Sequence, residues 1–222
     1  MINIQLYEAK FEILSEILKI SPKKPDYKII EMVGKQLRAG RIIVFPTDTV
    51  YGLGCDPFNL NSIQKIYSIK KRKRNMGLPV LINSIESIKH FAVINPIAEK
   101  IIDKFWPGQL TIILEKLDTV PKLLTGDKDT IAIRHPDNSI TLSLIKELKV
   151  GGIVGTSANI SGEKSPTNVK EAISQLGNSV DYYIDGGESE KKVPSTIIDL
   201  TNNKLKLIRR GPIPFNSIKS VV

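Results

Sequence analysis

Three short segments of this 222-residue chain gather side chains that could handle anions. The first is Phe45-Pro46-Thr47-Asp48-Thr49-Val50-Tyr51-Gly52-Leu53-Gly54, where an apolar run turns at a proline and ends in hydroxyls and glycines. Hydroxyls and exposed backbone amides at such a point suit a carboxylate, an amine or a phosphate. The same residues also make an ordinary Pro/Gly turn whose Thr and Asp satisfy the backbone. The Gly-Lys-Ser/Thr ending of a Walker A loop is absent. The second segment is Lys70-Lys71-Arg72-Lys73-Arg74, five consecutive cations ahead of Asn75-Met76-Gly77-Leu78-Pro79. Such a run complements a helix C-terminus and is commonly solvated. It could equally clamp a triphosphate, with Lys as a mobile point charge and Arg as a planar fork, or meet an RNA backbone. The third is Gly151-Gly152-Ile153-Val154-Gly155-Thr156-Ser157-Ala158-Asn159-Ile160-Ser161-Gly162, continuing to Lys164-Ser165-Pro166-Thr167. Backbone could approach a ligand closely there, with Ser and Asn donating hydrogen bonds.

Two smaller pieces complete the set. Ile131-Ala132-Ile133-Arg134 ends an apolar run on a cation. Burying that charge is costly unless an anion pairs with it, so Arg134 is a candidate carboxylate binder. Near the C-terminus, Pro194-Ser195-Thr196-Ile197-Ile198-Asp199 opens one apolar run and Ile208-Arg209-Arg210-Gly211-Pro212 closes the next.

The elements that must position these residues alternate. Apolar runs at 42–45, 78–82, 111–114, 130–133, 152–154, 182–184 and 195–200 read as buried strands, with another near 206. Helical spacing appears at Ile30/Val33/Leu37, Ile63/Ile66/Ile69, Ile97/Ile101/Phe105, Ile140/Leu144/Leu148 and Ala172/Ile173/Leu176. Gly40 stands where a helix end often needs a left-handed residue, and Ser165-Pro166-Thr167 reads as a helix start. Residues 7–20, with Leu14, Ile17 and Leu18, also carry helical spacing, broken by Ser21-Pro22-Lys23-Lys24-Pro25. This predicts an N-terminal appendage over 1–25 and one α/β domain over 26–222, with one core and a mixed sheet.

Composition bounds the chemistry. With 41% hydrophobic and 25% charged residues the chain reads as an ordinary globular protein. The single cysteine, Cys55, excludes an internal disulfide framework. Adding His90 and His135 still leaves too few ligands for a closed zinc site. No run of about 18 apolar residues and no signal-peptide pattern is present, so no membrane is expected and the cytoplasm is the expected location. The net charge of +9 favours polyanionic partners.

Taken in order, the pieces resemble the threonylcarbamoyl-AMP synthase (YrdC-like) family. They are PTDTVYGLG (46–54), Lys70-x-Arg72, WPGQLT (106–111), Thr130-x-Ala132-x-Arg134, SANxSG (157–162) with SPT (165–167), PSTIID (194–199) and IRRGPI (208–213). The resemblance implies a twisted open mixed sheet with flanking helices around a large basic cavity. It implies a nucleotidyltransferase that condenses L-threonine, bicarbonate or CO2 and ATP into threonylcarbamoyl-AMP and pyrophosphate, for N6-threonylcarbamoyladenosine in tRNA. A tRNA threonylcarbamoyltransferase would act downstream, and the basic surface could touch tRNA. By the same resemblance Thr47, Arg134 and Ser195 hold threonine, while Lys70, Arg72, Thr130, Ser157, Asn159, Ser165 and Arg209 hold ATP. Lys70 and Arg72 would be catalytic, and Mg2+ would ride on the ATP phosphates. His90 and His135 match no functional position. The basic run is denser than Lys-x-Arg, which leaves Lys71, Lys73 and Arg74 open between RNA contact, solubility and no specific role. The chain stops soon after Arg-Arg-Gly-Pro and so resembles the short, single-domain form.

Overall fold

Asparagines start four of the helices. In the computed structural model, which describes residues 15–222, the chain runs β1 (Glu16–Lys19), α1 (Tyr27–Arg38), β2 (Ile43–Phe45), β3 (Gly52–Gly54), α2 (Leu60–Ile69), β4 (Val80–Ile82), α3 (Pro96–Phe105), β5 (Leu110–Glu115) and α4 (Lys122–Thr125). It continues through β6 (Thr130–Arg134), α5 (Ser139–Lys146), β7 (Gly152–Val154), β8 (Thr156–Ser157), α6 (Val169–Leu176), β9 (Tyr182–Asp185), β10 (Thr196–Asp199), β11 (Lys206–Arg209) and α7 (Phe215–Lys219). The side chains of Asn59, Asn95, Asn138 and Asn168 accept from the backbone N–H three residues on, at the starts of α2, α3, α5 and α6. Each thereby satisfies a donor that the helix itself cannot.

The strands form two mixed sheets, ordered β1-β9-β2-β3-β8 and β11-β10-β5-β6-β4-β7. Strand alternation divides the apolar side chains between two cores. Ile42 just before β2, Val44 of β2, Val80 and Ile82 of β4, and Val154 of β7 enter the larger core with α2 and α3. Ile43 and Phe45, Leu81 and Ile153 point the other way, into a second core built on α1 and α5. Strands with both faces covered read as continuous apolar runs, which is how these stand out in the sequence. Among the described residues no helix is long and apolar enough to cross a membrane.

The structure corrects several expectations. There are two sheets and two cores, because apolar runs report burial and not which strands pair. Residues 16–19 form a strand where spacing predicts helix; β1 pairs in parallel with β9, from Glu16 opposite Tyr182 to Lys19 opposite Asp185. The rest of that predicted helix, from Tyr7 to Leu14, lies outside the described residues. The helix after the third segment starts at Val169, capped by Asn168, and not at Ser165-Pro166-Thr167. The short strands β3 and β8 are built from glycine and hydroxyl residues that read as loop.

Candidate active site

The second sheet turns one face to the larger core and the other to a cavity of about 260 Å³. On β5, Leu110, Ile112 and Leu114 are core residues while Thr111 and Ile113 face the cavity. On β6, Ile131 and Ile133 are core while Ala132 and Arg134 face it. Residues 47 and 49–52, 155–157 and 194–195 supply the walls, together with Arg72 and Arg209. Among the described residues three guanidiniums thus line the cavity, and no Asp or Glu does.

Arg134 is the best-determined of these cations. Its Nε donates to the Gly108 carbonyl at 2.9 Å, its Nη1 to Thr49 Oγ1 at 2.7 Å, and its Nη2 to Asp48 Oδ1. The anion that compensates its burial is therefore Asp48, a residue of the chain itself. Burial pulls the Arg134 pKa down, and the Asp48 carboxylate opposes that shift. Thr47 Oγ1 donates to the Val50 carbonyl at 2.7 Å and lies 3.0 Å from Thr49 Oγ1, so the turn residues do satisfy their own backbone while lining the cavity. The Ser195 hydroxyl lies 2.8 Å from Thr111 Oγ1, and Arg209 Nη2 donates to the Ser195 carbonyl at 2.8 Å. Burial, and secondarily repulsion from Arg134, lowers the Arg209 pKa. Arg72 donates to the carbonyls of Met76 and Gly77 at 3.0 and 2.9 Å, and burial lowers its pKa too. An anion bound beside Arg134 and Arg209 would offset the repulsion between them.

Lys70 sits elsewhere. It is 1% exposed and does not line the cavity. Its Nζ donates to the Ser157 and Asn159 carbonyls at 2.5 and 2.7 Å, and its own carbonyl accepts from Ser161 N–H at 2.9 Å. It therefore clamps the 157–161 loop from below, and burial, with Arg72 nearby, pushes its pKa down to about 7. Asn159 spends its amide on the Ile160 and Glu163 carbonyls, at 2.8 and 2.7 Å, and orders the loop rather than lining the cavity. Ser165 is also outside the lining; its neighbour Pro166 accepts from the Tyr51 N–H at 2.8 Å. Thr130 stands at the other end of β6 from Arg134, about 13 Å away along the strand, in a separate cleft with Glu115, Lys116 and Asp129. Lys71, Lys73 and Arg74 are exposed.

Of the ten residues named from sequence, the cavity thus gathers Thr47, Arg72, Arg134, Ser157, Ser195 and Arg209. Sequence reasoning passes over Thr49, Thr111 and Ala132 as site residues. Their signal is alternation: each sits two positions, or one strand register, from a residue already singled out. No group of three His, Cys, Asp or Glu side chains among the described residues could hold a metal ion.

The family model Sua5/YciO/YrdC, described as telomere recombination, matches residues 35–211. The chain belongs to this family. It is 40% identical over 191 residues to a protein of Methanocaldococcus jannaschii, covering 86% of this chain and 89% of that one. It is 38% identical over 207 residues to the threonylcarbamoyl-AMP synthase of Pyrococcus abyssi, covering 93% of this chain but 60% of that longer protein. The crystal structure of P. abyssi Sua5 complexed with L-threonine superposes with a TM-score of 0.89 at 35% identity, over 94% of this chain and 61% of that one. Every cavity-lining residue lies within the part matched to the Sua5/YciO/YrdC family. The motif series and the fold therefore point to the same family.

Proposed function

We propose that this chain is a threonylcarbamoyl-AMP synthase, a nucleotidyltransferase that joins L-threonine, bicarbonate or CO2 and ATP and releases pyrophosphate. The observation that carries the reading is the cavity itself: three guanidiniums and a set of hydroxyls converge on one space that holds no carboxylate. That lining suits a substrate pair rich in anionic oxygens, a triphosphate and an amino-acid carboxylate.

Five N–H groups belong to a guanidinium, and three of those on Arg134 are spent within the protein. One N–H on each terminal nitrogen remains, a fork for the threonine carboxylate, with Thr47 and Ser195 beside it. Arg72, Arg209 and Ser157 take the triphosphate. Lys70 and Asn159 shape the loop that carries Ser157, and Ser165 and Thr130 extend the nucleotide contacts beyond the cavity. Mg2+ would ride on the ATP phosphates and add neutralising charge there, since among the described residues the lining offers the ion no carboxylate.

The threonine amine, once neutral, attacks the carbon of bicarbonate and water leaves, giving a carbamate. A carbamate oxygen then attacks the α-phosphorus and pyrophosphate departs. No protein nucleophile is needed. Among the described residues neither carboxylate nor imidazole lines the cavity, so the amine's proton passes to substrate oxygen or solvent. The chain contributes positioning and neutralisation of charge on the phosphoryl oxygens. The product serves N6-threonylcarbamoyladenosine synthesis in the cytoplasm, where a tRNA threonylcarbamoyltransferase consumes it. The test is product analysis with 13C-bicarbonate, threonine and MgATP: one molecule should carry the label, threonine and AMP together. Label absent from any threonine-adenylate species would overturn the reading.

A further inference from the structure

The Asp48–Arg134 pair is buried on both sides, with side chains 4% and 6% exposed. Taking two charges out of water costs more than their attraction usually returns, so such a pair is a poor device for stability alone. Its geometry suggests another use. Arg134 faces the cavity, but Asp48 does not; it lines a second pocket behind, with Trp106, Pro107, Gly108 and Gln109. Among the described residues Asp48 Oδ2 is buried without a hydrogen-bond partner, and Arg134 is the one side chain its carboxylate bonds. The three acceptors on Arg134 come from two separate loops, Asp48 and Thr49 from one and Gly108 from the other. Together they fix the plane of the guanidinium and decide which two N–H groups are presented to the cavity.

We propose that Asp48 is a positioning residue for amino-acid recognition: from behind the cavity wall it holds Nη2 of Arg134, and so aims the free fork at the substrate carboxylate. This rests on the reading that Arg134 binds the carboxylate of threonine. Two effects of removing Asp48 compete. A full, uncompensated charge on Arg134 would tighten carboxylate binding, while loss of the acceptor would let the guanidinium swing out of plane. Orientation dominates here, because a bidentate contact depends on the fork's direction whereas a point charge does not.

The experiment compares Asp48→Ala with Asp48→Asn, which keeps an acceptor oxygen but no charge. Asp48→Ala should raise the threonine KM about tenfold or more, the loss expected for one hydrogen bond to a charged group, with the ATP KM and kcat within about twofold. Asp48→Asn should return the threonine KM to within about threefold of the parent. Should the alanine variant not fold, Asp48→Ser replaces it, its hydroxyl being too short to reach Nη2, with the same expectation. An unchanged or lowered threonine KM in the alanine or serine variant overturns the proposal, as does an equal rise in both KM values. So does an asparagine variant as impaired as alanine. Calorimetric titration of the parent chain with threonine separates the premise: no threonine binding there would defeat the reading of Arg134, independently of Asp48.

Discussion

Lys70 shows how a single side chain can serve a site it does not touch. Its ammonium is held by two loop carbonyls beneath Ser157, so its loss would disorder the 157–161 loop before it altered any direct contact. Burial also makes it a pH-sensitive element of stability. In the unfolded chain it stays protonated to about its ordinary 10.5, but in the folded chain only to about 7. Between those values the unfolded state binds more protons, so stability rises with pH across that window. Thermal melts from pH 7 to 10 should therefore climb more steeply for the parent than for Lys70→Met, which removes the buried charge; parallel curves would contradict the burial assignment. Arg134 illustrates what is legible at this scale. A cation ending an apolar run announces that it needs an anion, and the sequence shows no more than that. The anion proves to be Asp48, 86 residues earlier, a pairing that only the meeting of β6 with the 46–51 turn creates. Thr130 shows the reverse: it shares a strand face with Arg134, but it lines a separate cleft, and the distance between the two is not visible in the motif that contains both.

At the scale of elements, long and strongly patterned segments are readable and short ones are not. The helices at 27–38, 60–69, 96–105, 139–146 and 169–176 all follow apolar spacing visible in the chain, while the Asp and Asn caps that fix their starts emerge only with the structure. The strands β3 and β8 are three and two residues long and consist of Gly-Leu-Gly and Thr-Ser, so nothing in them signals pairing. Tertiary contact makes them strands: β3 lies between β2 and β8. Gly54, in β3, stands where the two sheets abut. A Cβ there would collide with the Val154 carbonyl of β7 and crowd the Phe45 ring, and the neighbouring Val154 N–H donates to the Cys55 carbonyl at 3.0 Å. Backbone cannot yield as a side-chain tip can. Gly54→Ala should thus cost stability on the scale of core overpacking, about 1–3 kcal/mol or more, read as a fall of several degrees in Tm. A Tm within about a degree of the parent would show that the sheets are not in contact there. The N-terminal strand teaches the complementary lesson. Four residues with helical spacing add to a sheet edge because β9 offers them backbone partners, and local pattern is too short to compete.

For the whole molecule, the two sheets bury one set of alternate side chains in the cores and leave another to build the cavity. The net charge of +9 is visible in the sequence, but its distribution is not. Three arginines face inward toward the cavity, while Lys71, Lys73 and Arg74 stay on the surface. On the proposed reading, a cavity lined by guanidiniums and hydroxyls performs its chemistry by holding its three substrates together. Turnover must then require every substrate at once. The most direct measurement is pyrophosphate release from MgATP by the purified chain, with threonine and bicarbonate supplied singly and together. Release should appear only when both are present and should fall at least about a hundredfold in Arg72→Ala, whose guanidinium lines the cavity. Pyrophosphate released without threonine or without bicarbonate, or none released with both, would contradict the assignment.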